Sequence, residues 1–344
     1  MPKTAVVIFN LGGPDSPEAI QPFLFNLFND PSIIRQPRLI RWLIAKLISN
    51  RRAPVAKEIY RQIGGRSPIL EETQKQADAL QNVLGGESDY RVFISMRYWH
   101  PFTEQCAAEV KSYAPERIIL LPLYPQFSTT TTESFQRAWT VATSEIGLVY
   151  PTSMICCYPT EPGLIDAMVG LTRSSLEKIT RKPSRILFSA HGLPVKFIAA
   201  GDPYQAQVEM SVAAIVDRLA IPDLDYVICY QSRVGPVEWL RPYTDDEIRR
   251  AGADKVSVVI IPVAFVSEHS ETLVELDIEY SKLAAEVGVP EYVRGGTVGV
   301  DQSFIEGLAR LIHAAGSQGI ASGAGQKLCP ENFSACAYCQ IGPI

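Results

Sequence analysis

The sequence predicts an α/β protein built on parallel sheets. Short runs rich in Val and Ile alternate along the chain with segments whose apolar residues recur every three or four positions, a pattern typical of βαβ units. Many of these runs end in loops with Gly, Pro and polar residues, where parallel sheets bind ligands. The chain also repeats itself weakly, since residues 10–14 resemble residues 190–194 and residues 119–122 resemble residues 259–262. We therefore expect two similar halves that face each other.

The elements follow in order from these patterns. β-branched, apolar stretches predict buried strands, and apolar residues at helical spacing predict the helices between them. The predicted strands cover residues 4–9, 91–96, 117–121, 153–157, 185–189, 226–230 and 256–261, and the last of these is followed by a helix that opens near Ser267. We expect a first half at 1–158, a second at 159–300, and a C-terminal part at 301–344 with a helix, a flexible linker at 317–325 and a cysteine-rich tail.

Composition excludes several classes of protein. The chain of 344 residues is 47% hydrophobic and 20% charged with a net charge of −5, which argues against a nucleic-acid binder. Its first apolar run is too short for a signal peptide, and no later run is long enough to span a bilayer. We therefore expect a cytoplasmic protein, in which the seven cysteines are reduced or bound to metal rather than paired in disulfides.

An apolar segment at residues 23–48 has two interpretations. One is a helix of the core. The other is an exposed lip that touches a membrane surface or admits an apolar ligand. Its helical stripe consists of Leu39, Ile40, Leu43, Ile44 and Leu47, with Arg38 and Arg41 opposite and Arg51 and Arg52 just beyond.

Side chains that can bind metals or exchange protons follow two predicted strands in the second half. His191 ends one strand, and His269 and Glu271 follow another. If the two strands are neighbours, these side chains point into one crevice. Nitrogen and oxygen ligands of this kind suit iron(II), zinc or manganese without choosing among them, and an imidazole also exchanges protons near neutral pH.

An acidic stripe continues from this point. Glu268, Glu271, Glu275 and Glu279 recur at spacings of three and four, which places them on one helix face. The stripe is either a solvated outer face or a path of carboxylates for metal ions or protons.

Several motifs together resemble those of the ferrochelatase family. They are N-L-G-G-P at 10–14, Y-R-Q-I-G-G-R-S-P at 60–68, S-A-H-G-L-P at 189–194, Q-S-R-V-G-P-V-E-W-L at 231–240 and A-F-V-S-E-H-S-E-T-L-V-E-L-D-I-E-Y at 264–280. The resemblance runs in order from residue 4 to about residue 316. It implies two Rossmann-like half-domains with parallel sheets, the chelatase fold, around a porphyrin cleft. The implied reaction inserts ferrous iron into protoporphyrin IX, the last step of haem synthesis.

The same resemblance implies roles for individual residues. His191 would be the base that removes pyrrole protons, and Glu271 would be an iron ligand beside it. The implied cleft lining is Leu11, Tyr60, Ser67, Arg97, Tyr98 and Trp239, with Arg51 or Arg52 near a propionate, and the implied path for iron or protons is Glu268, His269, Glu275 and Glu279.

Two alternatives to this function stay open at this stage. One is a ferrochelatase of the same family that acts on coproporphyrin III, which carries more carboxylates. The other is a non-catalytic haem or iron sensor on the same fold, although a sensor would not need the base. We expect a monomer or homodimer, without nucleic acid, that makes peripheral contact with the inner membrane through the lip.

The cysteine tail has its own interpretation. Cys329, Cys336 and Cys339 stand close together in the last sixteen residues, and a zinc site, a redox-labile tail or an iron–sulfur cluster would each suit them. The tail resembles the extension that carries a [2Fe–2S] cluster in some ferrochelatases, although its spacing departs from the animal pattern and Thr129 occupies the position of a distant animal cysteine. We choose Cys157 as fourth ligand and Cys156 as the reserve, because both end a strand of the first half against which a returning C-terminal helix would dock. Adjacent strand residues point to opposite faces, so only one of the two is expected to face the tail.

Overall fold

The structure is a computed structural model that describes residues 3–85, 89–316, 319–330 and 332–339. Two parallel sheets confirm the predicted fold class. The strands are β1 (Thr4–Asn10), β2 (Tyr90–Met96), β3 (Arg117–Pro122), β4 (Thr152–Cys157), β5 (Ser184–His191), β6 (Tyr226–Gln231), β7 (Ser257–Pro262), β8 (Tyr292–Arg294) and β9 (Gly319–Ser322).

Helices fill the connections between these strands. The α-helices are α1 (Ile20–Phe28), α2 (Arg38–Arg61), α3 (Ile69–Leu84), α4 (Thr103–Tyr113), α5 (Thr132–Ile146), α6 (Pro162–Glu177), α7 (Val195–Ala199), α8 (Tyr204–Leu219), α9 (Thr244–Asp254), α10 (Tyr280–Glu286) and α11 (Gln302–Ala314). A π-helix spans Glu271–Glu279, and a short 3₁₀ turn spans Ala337–Cys339.

The two sheets share one topology. Their strand orders are β2-β1-β3-β4-β9 and β6-β5-β7-β8, so the first strand of each half lies inside its sheet, between the second and the third. The short sequence echoes fall on corresponding strands, since residues 10–14 lead out of β1 as residues 190–194 lead out of β5. Strand order reverses between β5 and β7, and such a switch point is where open α/β sheets bind ligands.

Side chains of the first half contact the loop at the carboxyl end of β7 in the second half. Gln76 of α3 donates a hydrogen bond to the Val266 carbonyl at 2.9 Å and accepts one from Ser267 at 3.0 Å. Gln126, in the loop after β3, donates to the Val263 carbonyl at 3.2 Å. These buried amide side chains hold the ligand-binding edges of the halves against one another.

The segment predicted as a flexible linker contains a strand. β9 pairs in parallel with β4 at the edge of the first sheet, and the Gly323 amide continues the pairing by donating to the Cys157 carbonyl at 2.7 Å. Small residues gave the appearance of a linker, but an open strand edge offers unpaired backbone groups that such a segment can satisfy. Residues 317 and 318 of the predicted linker lie outside the described residues.

The apolar segment is a pair of helices with an exposed outer face. Helix α2 packs its small residues Ala45, Ser49 and Ala53 inward, whereas the side chains of its apolar stripe point outward. Leu39, Leu43 and Leu47 are 79%, 61% and 70% exposed. The core interpretation is therefore wrong for these three leucines. In the described ranges no helix is long and apolar enough to cross a bilayer.

A buried carboxylate ties this pair of helices to the first sheet. Asp30, between α1 and α2, is 3% exposed, and its Oδ2 accepts hydrogen bonds from the Arg97 guanidinium and the Tyr98 hydroxyl at 2.8 Å each, with Ser134 as a third donor. The Ser32 amide donates to its other oxygen at 2.6 Å. Burial alone would raise the pKa of Asp30, but the Arg97 charge and these donors outweigh burial and lower the pKa.

We expect Asp30→Asn to lower the free energy of unfolding by about 3 kcal/mol at pH 7, because it leaves a partly buried guanidinium without its anion. A carboxylate whose pKa is lowered in the folded state stabilises the fold above its ordinary pKa of 3.8 and loses this contribution as the pH falls through the folded value. The difference between wild type and variant should therefore shrink below about pH 3.8. Denaturant titrations across pH test this, with exposed Asp15→Asn as the control; a constant difference would contradict it.

Candidate active site

The strand ends singled out in the sequence meet at the switch point of the second sheet. β5 and β7 are hydrogen-bonded neighbours, as the metal-site hypothesis required. β5 ends at His191, and Glu271 opens the π-helix that follows β7. The imidazole Nδ1 of His191 lies 2.7 Å from Oε2 of Glu271. Both side chains keep an open face, with exposed fractions of 41% and 27%.

His191 and Glu271 shift each other's pKa in opposite directions. Burial raises the pKa of Glu271, but the imidazoles of His191 and His269 and the Ser232 hydroxyl outweigh it and bring that pKa to about 2. Burial lowers the pKa of His191, but the carboxylates of Glu271 and Glu275 outweigh it and raise that pKa above its ordinary value. An ionised carboxylate only accepts hydrogen bonds. In the neutral imidazole of His191, Nδ1 must therefore carry the proton, which leaves the lone pair of Nε2 to accept another.

His269, which we expected to join His191 and Glu271 in binding a metal, occupies a different environment. His269 is 8% exposed, its ring lies 4.6 Å from that of Phe265, and its Nδ1 has no hydrogen-bond partner among the residues that the structure describes. Burial lowers the pKa of this imidazole, so it is neutral at pH 7. Across the described side chains, no group of three or more His, Cys, Asp or Glu stands ready to hold a metal. The site is thus an open His–Glu pair with a neutral histidine beside it.

The acidic stripe divides into separate environments. Ser232 links Glu271 and Glu275, with its hydroxyl 3.1 Å from the first carboxylate and 2.5 Å from the second. Tyr280 donates to Glu275 at 2.8 Å. Burial and the charge of Glu271 together raise the pKa of Glu275. Glu268 instead binds Arg294 at 2.6 Å, and Glu279 is exposed to solvent.

The helix that carries the stripe differs from the predicted one. It begins at Ser270 rather than near Ser267, and residues 271–279 have the wider π-helical hydrogen-bond pattern. Ser267 is buried and bound to Gln76 of the other half, which keeps it in the loop. π-Helices are rare and are frequently found at functional sites. Sequence spacing alone does not reveal them.

Three of the implied cleft residues surround the turn after β1. Gly12 has a left-handed φ of 84°, which L side chains rarely adopt, and a side chain on Gly13 would lie 2.5 Å from Ser67. These glycines let the loop of Ser67 close against the loop of Leu11. Tyr60 at the end of α2 reaches across to Ser270, with its hydroxyl 3.4 Å from that of the serine. Burial, opposed by Ser270 and helped by Glu271, raises the pKa of Tyr60 to about 12.

The other three implied cleft residues are held by the protein. Arg97 and Tyr98 direct their polar atoms to Asp30, and Tyr98 is 1% exposed. Trp239 donates from its indole nitrogen to the Val234 carbonyl at 3.2 Å, and its ring packs on Gly192, the residue after His191. Trp239 therefore lies beside the histidine loop, whereas Arg97 and Tyr98 anchor the lip. Substrate binding by these six residues stays a prediction.

Three residues that our sequence analysis did not single out support the pair. Ser232 directly follows β6, which pairs with β5, so its place at the same sheet edge could have been found from strand adjacency. Tyr280 ends the acidic motif. Tyr204, at the start of α8, donates to the main-chain oxygen of His191 at 3.0 Å; nothing in the sequence marked this contact.

The cysteines of β4 depart from the expected geometry. A bulge interrupts the β4–β9 pairing between Ile155 and Cys157, and the Sγ atoms of Cys156 and Cys157 lie 3.5 Å apart. The two thiols therefore do not point to opposite faces, and which of them faces the tail stays a prediction. A bulge inserts a residue into one strand and re-aims its side chains.

The tail lies against this strand. A hydrogen bond with Cys156, burial and the neighbouring thiols of Cys329 and Cys336 together raise the pKa of Cys157 well above its ordinary value, so the tail thiols are near enough to influence it. Both tail cysteines are buried, and Gln207 of α8 donates to Cys329 at 3.1 Å. The side chain of Cys339, the remaining predicted ligand, lies outside the described residues.

Comparisons with known proteins show the family of this chain. A ferrochelatase family model matches residues 3–315. Ferrochelatase of Caulobacter vibrioides is 53% identical over 316 residues, which cover 90% of this chain and 89% of the relative. Ferrochelatase of Phenylobacterium zucineum is 51% identical over 99% of both chains, and that of Rickettsia bellii is 49% identical over 97% of this chain and 94% of its own.

A solved structure shares the fold. SirB from Bacillus subtilis with Fe³⁺ superposes with a TM-score of 0.53 at 13% identity, over 90% of this chain and 94% of its own. That identity supports the architecture alone. The sequence relatives reach further, because they match the segments that build the His191–Glu271 pair. The chain belongs to the ferrochelatase family of metal-inserting enzymes.

Proposed function

We propose that this enzyme inserts ferrous iron into protoporphyrin IX, with His191 as the proton acceptor and Glu271 as the iron ligand. The observation that carries the assignment is the 2.7 Å contact between the imidazole and the carboxylate at the switch point. The family membership supplies the reaction class. The contact supplies a base and an anionic oxygen ligand, with open faces, in one place.

Metal insertion needs both groups. The free porphyrin carries two pyrrole N–H bonds, which break as all four ring nitrogens bind iron, and two protons leave while iron stays ferrous. Nε2 of His191 can accept such a proton because Glu271 holds the Nδ1 proton. The carboxylate then stabilises the imidazolium that results. With a pKa of about 2, Glu271 is ionised at every working pH and offers oxygen to a divalent cation.

Ser232 and Glu275 provide a continuation of the path for protons. The Ser232 hydroxyl has a single proton and can donate to one of the two carboxylates at a time. Glu275, whose pKa is raised, is the partner more ready to take up a proton. We include Glu275 and exposed Glu279 in the path and His269 beside it. The salt bridge of Glu268 to Arg294 argues against that residue as a carrier.

The lip favours protoporphyrin over coproporphyrin III. Helix α2 exposes the leucines of its apolar stripe, and Arg97, an implied cleft residue, is already paired with Asp30. A tetracarboxylate would require more unpaired positive charge at the cleft. A haem or iron sensor would not need the polarised base. Parallel assays with both porphyrins decide between the substrates.

The central test is His191→Ala, with exposed His313→Ala as the control. Removing the base should lower kcat for iron insertion by about a hundredfold or more, while protoporphyrin still binds because the apolar surfaces are unchanged. Anaerobic assays follow the loss of porphyrin fluorescence, and fluorescence quenching measures binding. Near-normal turnover in His191→Ala, with intact His313→Ala, would remove the histidine from the mechanism.

Peripheral membrane contact through α2 is the second part of the proposal. The helix exposes Leu39, Leu43 and Leu47 and carries seven basic residues against one acidic residue, although the chain as a whole has a net charge of −5. Apolar and basic residues on one interfacial helix favour anionic lipid surfaces. A cytoplasmic enzyme that contacts the inner membrane in this way would bind its apolar porphyrin directly from the membrane, in which the porphyrin dissolves.

Leu43→Ser with Leu47→Ser should leave the thermal midpoint unchanged, because both leucines are exposed, and should weaken sedimentation with phosphatidylglycerol vesicles. Val149→Ser is the matched control, since Val149 is 88% exposed elsewhere on the surface. The KM for protoporphyrin supplied in vesicles should rise for the double variant alone. Equal vesicle binding by all three proteins would contradict the membrane role of the lip.

We further propose that the tail thiols and β4 hold a [2Fe–2S] cluster. The support is the gathering of Cys157, Cys329 and Cys336 around one buried place, although they do not form a ready metal site by geometry. Cys339 would complete the set, with Cys156 as the alternative because the bulge brings its sulfur to the same place. When bound, such a cluster supplies a redox-active group with visible absorption.

Cys157→Ser should abolish visible absorption of the purified, haem-free protein, together with its sulfide content. Cys106→Ser, a buried thiol in α4, is the control and should retain both. If colour is lost in Cys156→Ser instead, the fourth ligand is the neighbour. A colourless wild-type protein with one zinc and no sulfide would replace the cluster by a structural metal site.

A further inference from the structure

Arg294 binds one carboxylate before Glu271 in the sequence and one after Glu275. Arg294, at the end of β8, forms a forked ion pair with Asp277, from Nε at 2.7 Å and from a terminal nitrogen at 2.5 Å. Its other terminal nitrogen binds Glu268 at 2.6 Å. Glu268 precedes Glu271 by three residues, and Asp277 follows it by six. The guanidinium is 12% exposed, so these contacts are largely shielded from water.

Further hydrogen bonds fix the π-helix and Glu268 in place. Tyr292, also in β8, donates to the Leu276 carbonyl of the π-helix at 2.7 Å. Glu268 in turn accepts from the Thr272 hydroxyl at 2.5 Å and from the Thr297 amide at 3.1 Å. β8 pairs with β7 and is part of the rigid sheet. The π-helix is thus fastened to the strand next to the one from which it emerges.

A π-helix needs such support because its hydrogen bonds span one residue more than those of an α-helix, and the pattern is rarely stable alone. Conversion to the α pattern would rotate each successive residue. Asp277 would turn away from Glu268, so a single guanidinium could no longer hold both carboxylates. The same rotation would move Glu275 away from Ser232, which links it to Glu271.

We propose that Arg294 is a positioning residue that fixes the π-helical register, and with it the placement of Glu271 and Glu275 for iron. The inference rests on the proposed iron insertion and adds a residue that touches neither substrate. It also assigns Glu268 a role: this carboxylate is one arm of the clamp rather than a stage of the iron path.

The test compares Arg294→Gln with Arg185→Gln. Arg185 is an internal match, since it also bridges two carboxylates, Asp225 and Asp254, and its side chain is 9% exposed. It lies at the start of β5, at the opposite edge of the sheet. Arg294→Gln should raise the KM for ferrous iron and lower kcat, with a combined loss in kcat/KM of about tenfold to a hundredfold. The KM for the porphyrin should stay unchanged. Arg185→Gln should affect stability without changing either KM.

Two milder variants keep the test decisive if Arg294→Gln folds poorly. Asp277→Asn and Glu268→Gln each remove one arm of the clamp and should raise the KM for iron in the same direction, with Glu286→Gln in α10, whose side chain is exposed, as their control. If Glu268 is instead a carrier of iron, Arg294→Gln frees its carboxylate, and the KM for iron stays equal or falls. That result, or identical kinetics in the Arg294 and Arg185 variants, overturns the clamp. Absence of iron insertion in the wild type would instead overturn the proposed function.

Discussion

The in-register pairing of β5 with β7 is the constraint on which the site depends. Ser189 pairs with Pro262, so the chain leaves β5 at His191 and leaves β7 toward Glu271 at one edge of the sheet. Parallel strands present their carboxyl ends together, and the reversal of strand order there leaves a crevice between the outgoing loops. A histidine and a carboxylate separated by 80 positions in the sequence thereby become hydrogen-bonded partners. Without this pairing, neither the tautomer of His191 nor the low pKa of Glu271 has a cause.

Much of this arrangement could be predicted from the sequence, because buried strands and the loops that follow them have strong patterns. The strand runs that end at His191 and precede Glu271 were recognisable from their Val and Ile content, and their neighbourhood follows from topology. Ser232 was within reach of the same reasoning. The exposure of Leu43 was not, because the apolar stripe is the same whether it faces the core or the solvent. Only the packing of Ala45 and Ser49 against α1 decides between them.

Other features depend on contacts too distant for sequence patterns. The π-helical register is decided by residues far along the chain, with Arg294 and Tyr292 on one side and Ser232 on another. The bulge in β4 depends on the pairing with β9, a strand whose Gly, Ala and Ser residues have low intrinsic strand propensity. In both cases local preference is weak, and long-range hydrogen bonds determine the structure.

The position of β9 also changes what the tail is. β4 would otherwise present a row of unpaired amides and carbonyls at the border of the first sheet, a template for pairing with another polypeptide. β9 covers that border, and the tail beyond it continues along α8 through the Gln207–Cys329 contact. The C-terminal segment is therefore a cap on the sheet as well as a carrier of thiols. A change that detaches the tail would also expose the unpaired edge of β4. The chemical state of these cysteines is thereby linked to the tendency of the enzyme to aggregate.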